Sequence, residues 1–480
     1  MIYIESIITI MRFVGREREL EFLKELYCRE GVKTCMIVGK RRIGKSELIK
    51  QFCTDKRSVR FEFTIGSLRD NLEYMTDVLN ETEGLKQDVP ESIYRCLRRT
   101  ADLCREAPTV VVLDEFQYLF TDEKDDALSS EIQRFVDQLI EGTDTMVIIC
   151  GSYTSMMLDM TSDPARPLFG RFQNILTLKP LPIGACRELH PSLEDIDCLK
   201  LYLTIGGVPS FHREAVGDTY EECLWNTFLR ENAPLQTEIQ LLLGSGVKAD
   251  SPNRLVVRAV CGGAVTIKTI SEWTKLDRGT CRNRITSLMD LDVLDAYNPM
   301  YGAPKHPRFH VKDDAVAFYF GVYESNRPRI DTDRPERTME RLEHSISTFL
   351  GMRFEGFCEG YLRKSYPCLE TGRWWGPSDK IKEDGKLEIV DIDVTARIEG
   401  DGSIFDAFCE CKMRRRQTGF TELNTLIERV GFTGANVNPR YFLFSPSGFT
   451  EDLMDYAGTH RDIMLVDLPK LMGDVRSDPI

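Results

Sequence analysis

Short apolar runs of strand length alternate with amphipathic stretches over the first third of the chain. Residues 12–30 predict a helix after a short loop, because leucines recur there near helical spacing. A second helix is predicted from Lys45 through Phe52. The apolar runs lie at 34–38, 109–113 and 146–150. Continuous apolar strands separated by helices are typical of a parallel sheet covered on both faces, so the pattern predicts an α/β fold.

The pattern changes beyond this first domain, which we place at 12–185. Residues 186–250 are mainly helical, and residues 251–325 predict a helix, a turn and a second helix, as in a small winged-helix module. The polar, proline-containing segment Asn326–Pro335 predicts a linker. Residues 340–470 begin with a helical stretch and continue as a strand-rich α/β domain. The sequence therefore predicts four domains.

Composition narrows the class of protein. The 480 residues include 62 Lys and Arg against 76 Asp and Glu, and the net charge of −14 argues against a surface coated for nonspecific nucleic-acid binding. The 15 cysteines scatter without a CxxC pair, which is typical of reduced thiols in a cytoplasmic protein. No apolar run approaches the ~18 residues of a membrane span, so no membrane partner is expected. The first residues make a poor signal peptide, and either Met1 or Met11 could begin the chain.

A glycine-rich motif follows the first predicted strand and opens the second predicted helix. It matches GxxxxGK[ST] at every position and comprises Gly39, Lys40, Arg41, Arg42, Ile43, Gly44, Lys45 and Ser46. Glycines let backbone N–H groups turn inward around phosphate oxygens, and the helix N-terminus adds a positive dipole end. We expect Lys45 to reach the β- and γ-phosphates of ATP and Ser46 to ligate Mg²⁺. A chance glycine-rich turn is the alternative, and the flanking strand and helix argue against it.

The second and third predicted strands end in polar residues that complete a nucleotide site. Asp114 suits the Mg²⁺ shell, and Glu115 beside it could polarise the attacking water as a general base. Ser152 could contact the γ-phosphate or the water, although a plain strand end would look the same. Arg171 is a candidate arginine finger, with a surface arginine as the alternative.

Together these motifs resemble the archaeal-type predicted ATPases, a branch of the AAA+/STAND P-loop NTPases. The resemblance covers residues 12–215 and is carried by FVGRE (13–17), GKRRIGKS (39–46), VVVLDEFQYL (110–119), ICGSYTSMM (149–157), PLFGRF (167–172) and GGVP (206–209). It implies an adenine contact near Phe13, Val14 and Gly15, and a helical lid with Gly207 and Pro209. It also implies that Glu115 is the catalytic acid.

A second group of acidic residues lies in the C-terminal α/β segment. Asp391 and Asp393 lie in one predicted strand, and Glu410 and Lys412 in the next. Residues i and i+2 of a strand share a face, so Glu410 and Lys412 point the same way, and a hairpin brings Asp393 alongside. Two carboxylates that share a divalent metal, with a lysine to orient or deprotonate water, suit phosphodiester hydrolysis. A solvated hairpin with an ion pair between Glu410 and Lys412 is the alternative.

This pattern resembles the PD-(D/E)XK nuclease fold, and more narrowly the domain of unknown function that follows the archaeal-type ATPase module in many chains. The resemblance covers about 340–470, and the phrase GRWWG at 372–376 strengthens it. It favours Asp393 over Asp391 as a ligand of Mg²⁺ and implies Glu355, on the preceding helix, as a further ligand. Such folds can keep their shape and lose activity, so a nucleotide-switched regulatory protein with an inactive scaffold is the alternative function.

Two basic stretches make DNA a candidate partner beside ATP. Residues 254–284 carry seven Lys and Arg against Glu272 and Asp277, so a helix near Gly279–Asp290 could enter a major groove. The run Lys412–Arg416 lies beside the predicted nuclease site and suits a phosphate backbone. An interdomain adaptor and a solvated charge run are the respective alternatives. The sequence leaves the oligomeric state open, with a homo-oligomer as one arrangement to consider.

Overall fold

The computed structural model describes residues 13–120, 126–152, 154–243, 251–291, 293–301, 307–383, 385–400, 402–435 and 438–473. These residues divide into two compact units, one at 16–180 and the other at 13–15 and 181–473. The two candidate start residues, Met1 and Met11, lie outside the described residues. The predicted division into four domains is finer than these two units and stays a prediction.

The first unit is a parallel sheet with helices between its strands. Its elements are α1 (Glu17–Tyr27), β1 (Lys33–Val38), α2 (Lys45–Cys53), β2 (Ser58–Glu62), α3 (Leu68–Glu83), α4 (Ile93–Glu106), β3 (Thr109–Asp114), α5 (Asp126–Arg134), β4 (Thr145–Gly151), α6 (Thr154–Ser162) and β5 (Asn174–Thr177). All five strands run parallel in the order β2-β3-β4-β1-β5. Because β4 lies between β1 and β3, the carboxyl ends of these three strands meet at one edge.

The predicted α/β fold, its three strands and its two first helices are confirmed. Every residue of β3 and β4 is buried, as expected for central strands with both faces covered. Strands β2 and β5 form the two outer edges of the sheet and are not predicted from the hydrophobic pattern. β2 alternates between exposed and buried positions and β5 has only four residues, so neither shows a continuous apolar run.

The second unit begins with helices and a small hairpin. Its first elements are α7 (Ile183–Leu189), α8 (Asp195–Ile205), α9 (Pro209–Glu214), α10 (Tyr220–Leu224), α11 (Pro234–Leu243), α12 (Pro252–Cys261), α13 (Ile267–Thr274), α14 (Arg278–Asp290), β6 (Leu294–Tyr297), β7 (Arg308–Val311) and α15 (Asp314–Phe318). The side chains of Thr266 and Asp277 cap α13 and α14, which defines where both helices begin. Three helices followed by the antiparallel pair β6–β7 agree with the predicted winged-helix module, which stays a prediction.

The unit continues with a long helix and a mixed sheet. These elements are α16 (Pro335–Ser365), β8 (Cys368–Ile381), β9 (Leu387–Gly400), β10 (Ser403–Cys411), α17 (Phe420–Gly431), β11 (Pro439–Phe444), α18 (Glu451–Thr459), β12 (Ile463–Val466) and α19 (Leu468–Gly473). The sheet order is β12-β11-β10-β9-β8. Strands β8, β9 and β10 are antiparallel, whereas β10, β11 and β12 are parallel. Pro335 starts α16, so the predicted linker ends inside a helix, where proline at the first turn loses no hydrogen bond.

The core beside this mixed sheet explains one of the two tryptophans in the sequence GRWWG at 372–376. Trp374 is 2% exposed and packs with Ile392, Phe408 and Leu443. Its contribution is therefore to packing. Among the described residues, no helix combines the length and the apolar character that a membrane crossing needs.

Candidate nucleotide site and C-terminal carboxylates

The phosphate-binding motif joins β1 to α2, as the sequence predicts. Gly44 precedes α2 with a φ of 95°, in the left-handed region that favours glycine. A Cβ atom on Gly39 would lie 2.8 Å from the carbonyl oxygen of Leu178, so this close approach requires glycine. The buried Lys45 turns into the loop, where its Nζ donates to the carbonyl oxygens of Gly39 (2.9 Å) and Lys40 (3.0 Å). Its ammonium group therefore lies where phosphate oxygens can replace the loop's own carbonyls.

The loop is also held from outside the motif. Arg16, 3% exposed, donates from Nη2 to the carbonyl oxygens of Ile43 (3.1 Å) and Lys179 (2.8 Å). Ile43 is buried, whereas Arg41 and Arg42 are exposed. The apolar residue thus anchors the loop and leaves the two arginines at the surface.

Asp114 ends β3 and contacts the phosphate-binding motif directly. Its Oδ2 accepts a hydrogen bond from Ser46 Oγ at 2.9 Å, which brings the two predicted Mg²⁺ residues together. The same oxygen lies 2.6 Å from Nη2 of Arg60, on the neighbouring strand β2. Asp114 is 1% exposed, so its carboxylate is removed from water, whereas Arg60 is 31% exposed. An aspartate and a hydroxyl at this edge are oxygen ligands of the kind that Mg²⁺ prefers.

Glu115 follows Asp114 in an unusual backbone conformation. Its φ of 50° lies in the left-handed region, which costs a non-glycine residue about 1–3 kcal/mol. Its N–H donates to Asp114 Oδ1 at 2.9 Å, which helps to hold this conformation. Its Oε2 accepts from Gln117 Nε2 (2.5 Å) and from Ser152 Oγ (3.2 Å). The structure thus brings the predicted general base and Ser152 together, and it adds Gln117, which sequence reasoning did not assign.

The structure places Arg171 away from the phosphate-binding motif of this chain, and its role as an arginine finger stays a prediction. Its carbonyl oxygen accepts from Thr34 Oγ1 at 2.5 Å, and Thr34 lies near the amino end of β1. The phosphate-binding motif follows the other end of this strand, about 15 Å away at ~3.3 Å per residue. The guanidinium is already paired, with its Nη2 3.1 Å from Asp137 Oδ2.

The predicted adenine and lid residues belong to the second unit. A Cβ atom on Gly15 would contact the side chains of Leu181 and Ala185, and a Cβ atom on Gly207 would meet the backbone of Leu181. Gly15 and Gly207 therefore both lie against the stretch at 181–185. The nucleotide contacts of Phe13, Val14 and Pro209 stay predictions.

The C-terminal sheet brings Asp393, Glu410 and Lys412 together. Asp393 Oδ2 accepts from the N–H of Cys411 at 2.8 Å, so its side chain reaches across from β9 to β10. Lys412 Nζ lies 2.5 Å from Glu410 Oε1, and Arg429 Nη1 on α17 lies 3.3 Å from Glu410 Oε2. Asp391, in contrast, is half exposed and lies 3.6 Å from Nη1 of Arg308.

The electrostatics of this group assign different roles to its members. Burial raises the pKa of Asp393 to about 8, and the charges of Glu410 and Glu355 add to the effect. Burial alone would lower the pKa of Lys412, but the charges of Glu410 and Asp393 outweigh it and raise this pKa. A protonated Lys412 suits orienting water or phosphate, and its role in deprotonating water stays a prediction.

Glu355, the third predicted metal ligand, is already paired with an arginine. It forms an ion pair with Arg373, whose guanidinium also lies 3.8 Å from the ring centroid of Tyr297. Within the described ranges, no three or more His, Cys, Asp and Glu side chains are arranged to hold a metal ion. The role of Glu355 as a further ligand stays a prediction, and a metal ion there would compete with Arg373 for its carboxylate.

The two basic stretches differ in how much charge they leave exposed. In the run 412–416, Arg414 and Arg416 both contact Glu422, at 2.5 Å and 3.5 Å. The predicted patch is therefore partly neutralised. On α14, by contrast, Arg278, Arg282 and Arg284 are exposed.

Sequence reasoning missed four arginine and glutamine side chains at these sites. Gln117 and Arg16 lie inside motifs that carry the family resemblance, but nothing in their residue type indicates their contacts. Arg60 lies on β2, a strand that the hydrophobic pattern does not predict. Arg429 lies on α17 and Glu410 on β10, so only the tertiary structure brings the two together.

Two family models match separate parts of this chain. Residues 13–211 match the model of a family described as an ATPase domain predominantly from Archaea, and residues 319–422 match a family described as Archaea bacterial proteins of unknown function. An uncharacterized protein of Methanocaldococcus jannaschii is 24% identical over 379 residues, which are 77% of this chain and 83% of that protein. An uncharacterized ATP-binding protein of the same organism is 39% identical over 51 residues, which are 11% of this chain and 86% of that protein.

A Walker-type ATPase of Pyrococcus abyssi is similar in fold. It has a TM-score of 0.50 at 16% identity, and the similarity covers 64% of this chain and 96% of that one. Its fold agrees with the parallel sheet described above. Residues 13–211 are therefore an archaeal-type P-loop ATPase domain.

Proposed function

We propose that the chain binds and hydrolyses ATP at the carboxyl edge of the first sheet. The observation that carries this proposal is the 2.9 Å hydrogen bond between Ser46 and Asp114, which joins the phosphate-binding loop to the acidic end of β3. Lys45 binds the β- and γ-phosphates, and Ser46 and Asp114 hold Mg²⁺. The bound Mg²⁺ would neutralise phosphate charge. Glu115, held by Gln117 and Ser152, orients the attacking water and accepts its proton.

Nucleotide binding tests the first half of this proposal. Lys45→Ala removes a charge-assisted phosphate contact worth roughly 1.5–3 kcal/mol, so affinity for a fluorescent ATP analogue should fall about 10- to 150-fold. Lys50→Ala is the matched control, because Lys50 lies on the same helix with its side chain exposed. Equal affinity in Lys45→Ala and wild type would remove the site assignment.

A second candidate function lies in the C-terminal domain, which we propose acts on DNA. The observation that favours it is the contact of Glu410 with Lys412 at 2.5 Å, beside the half-buried Asp393. Two carboxylates and a protonated lysine suit a divalent ion and a phosphodiester in the manner of PD-(D/E)XK nucleases. The exposed arginines of α14 support binding of a phosphate backbone by the predicted winged-helix module.

A DNA-nicking assay separates this candidate from the rival, a nucleotide-switched regulator with an inactive scaffold. Supercoiled DNA is incubated with Mg²⁺ or Mn²⁺, with and without ATP, and nicked circles are measured. We expect Asp393→Ala and Glu410→Ala to abolish nicking, whereas Asp391→Ala, at an exposed position, should retain it. Nicking that persists in all three variants would indicate a contaminating nuclease, and no nicking in wild type would favour the regulator.

The thiol pattern supports a cytoplasmic location for this protein. All fifteen cysteines fall in the described ranges, and each is free. Free thiols are usual in reducing compartments. A homo-oligomer is a separate proposal. Sedimentation in the presence of nucleotide would test it.

A further inference from the structure

The aspartate proposed to hold Mg²⁺ already has a cationic partner in the protein itself. Nη2 of Arg60 lies 2.6 Å from Asp114 Oδ2, and Asp114 is 1% exposed. The same Oδ2 accepts from Ser46, and Oδ1 accepts from the N–H of Glu115. A buried carboxylate with one close counter-ion depends strongly on that ion, because water screens the pair poorly. Any further cation at Asp114 must therefore compete with Arg60.

The surroundings of Arg60 allow its guanidinium to leave Asp114. Its side chain is 31% exposed, so it borders on solvent. A second carboxylate, Glu62, lies 3.4 Å from the same Nη2 and is 58% exposed. The Nε donor of Arg60 has no hydrogen-bond acceptor within the part of the chain that the structure describes. The guanidinium can thus exchange Asp114 for Glu62 or water and keep a charged neighbour.

We infer that Arg60 competes with Mg²⁺ for Asp114 and thereby sets the Mg²⁺ concentration at which nucleotide binds tightly. The inference rests on the proposed ATP site. Arg60 uses the lone pairs of Oδ2 that a metal ion, or water bound to it, also needs. Arg60 is accordingly a positioning residue that acts through Asp114. It makes the site respond to Mg²⁺, because the metal must displace a cation already in place.

The direct test is the affinity for ADP over a series of free Mg²⁺ concentrations. Arg60→Gln removes the competing charge and keeps a hydrogen-bonding side chain. In Arg60→Gln, the Mg²⁺ concentration that gives half of the full increase in ADP affinity should be about tenfold lower than in wild type. Arg60→Lys keeps the charge in a different geometry, so its half-effect Mg²⁺ concentration should lie between those of wild type and Arg60→Gln. Arg57→Gln is the matched control, because Arg57 is close in sequence but pairs with the exposed Glu106 at 2.8 Å.

The rise in Tm that Mg²⁺ alone produces is a second measurement. If Arg60 had only a structural role, its replacement would not change this rise. Arg60→Gln leaves the buried Asp114 without its counter-ion, so its Tm without metal should fall below that of wild type. Mg²⁺ then replaces the lost charge, and the Tm should rise by more than it does in wild type. A purely structural arginine would lower the Tm and leave the response to Mg²⁺ unchanged.

The outcomes distinguish this inference from the proposed function. If wild type binds Mg²⁺ and ADP but Arg60→Gln needs as much Mg²⁺ or more, the inference fails and the proposed site stands. If wild type binds no nucleotide and Lys45→Ala behaves identically, both fail.

Discussion

Gly151→Ala tests the role of Gln117 without changing any residue that touches substrate. Gly151 ends β4, and a Cβ atom there would lie under 3.0 Å from Oε1 of Gln117 and 3.2 Å from Sδ of Met157. The φ of Gly151 is not positive, so the backbone itself accepts alanine. Gln117 and Met157 are both buried, and the Cβ atom would lie closer to the Gln117 amide than to Met157. The added methyl group therefore acts mainly on the amide that holds Glu115.

The size of the effect follows from the hydrogen bonds that Gln117 makes. Its Nε2 donates to Glu115 Oε2 at 2.5 Å and to Ser152 Oγ at 3.4 Å. A hydrogen bond to a charged group contributes about 1.5–3 kcal/mol. If that energy orients Glu115 for proton transfer, its loss should slow phosphate release by roughly 10- to 150-fold. Affinity for ADP should change little, because the loop Gly39–Ser46 is untouched.

A double-mutant cycle makes this prediction specific. We measure phosphate release from ATP in wild type, Gly151→Ala, Gln117→Ala and the double variant. Since both single changes remove the same hydrogen bond, the double variant should be no slower than Gln117→Ala alone. Rate losses that multiply would show that the methyl group acts elsewhere, and a large loss of ADP affinity in Gly151→Ala would refute the argument that only the orienting group moves.

Three further predictions concern the second unit. Burial lowers the pKa of His190 to about 4 and that of His212 to about 3, against 6.5 ordinarily. Below pH 6.5 the unfolded chain therefore binds protons that the folded chain does not. The free energy of unfolding should decrease as the pH is lowered, by up to about 1.4 kcal/mol per pH unit for each histidine. His212→Gln should weaken this dependence in urea titrations, and replacing the exposed His344 should not. Mg²⁺ bound between Asp393 and Glu410 should add to any rise in Tm from the first unit, so the rise should be smaller in Asp393→Ala than in wild type; an equal rise in the two proteins would contradict an ion at this pair. Replacing the exposed arginines of α14 by glutamine should lower the salt dependence of DNA affinity by about one counter-ion for each phosphate that is no longer neutralised; an unchanged slope in filter-binding assays would favour the adaptor role.

The sequence predicted the centre of the first sheet because burial on both faces leaves a continuous apolar run, as in β3 and β4. It could not predict β2, whose exposed and buried positions alternate at the edge of the sheet. That omission also concealed Arg60, because its closeness to Asp114 follows from the pairing of β2 with β3. The motif at 39–46, in contrast, is local, so its turn and its helix start were predictable from adjacent residues.

The C-terminal site shows the same division between local and distant information. Strand spacing correctly placed Glu410 and Lys412 together, because residues i and i+2 share a face. The partners that decide the chemistry come from elsewhere in the fold: Arg373 neutralises Glu355, and Arg429 reaches Glu410. The position of Arg171 could not be predicted for a similar reason. Its motif gave no indication that the chain returns to the amino end of β1 before β5 begins.

The measurement that tests the central claim most directly is phosphate release from Mg²⁺ and ATP by wild type and Glu115→Gln, with nucleotide affinity measured in parallel. Glutamine keeps the shape of the side chain and loses its basic carboxylate. The account predicts that wild type turns over ATP, and that Glu115→Gln binds the nucleotide equally well but releases phosphate at least about 10²-fold more slowly. Equal rates in the two proteins, with equal affinity, would contradict a catalytic role for Glu115 at this edge of the sheet.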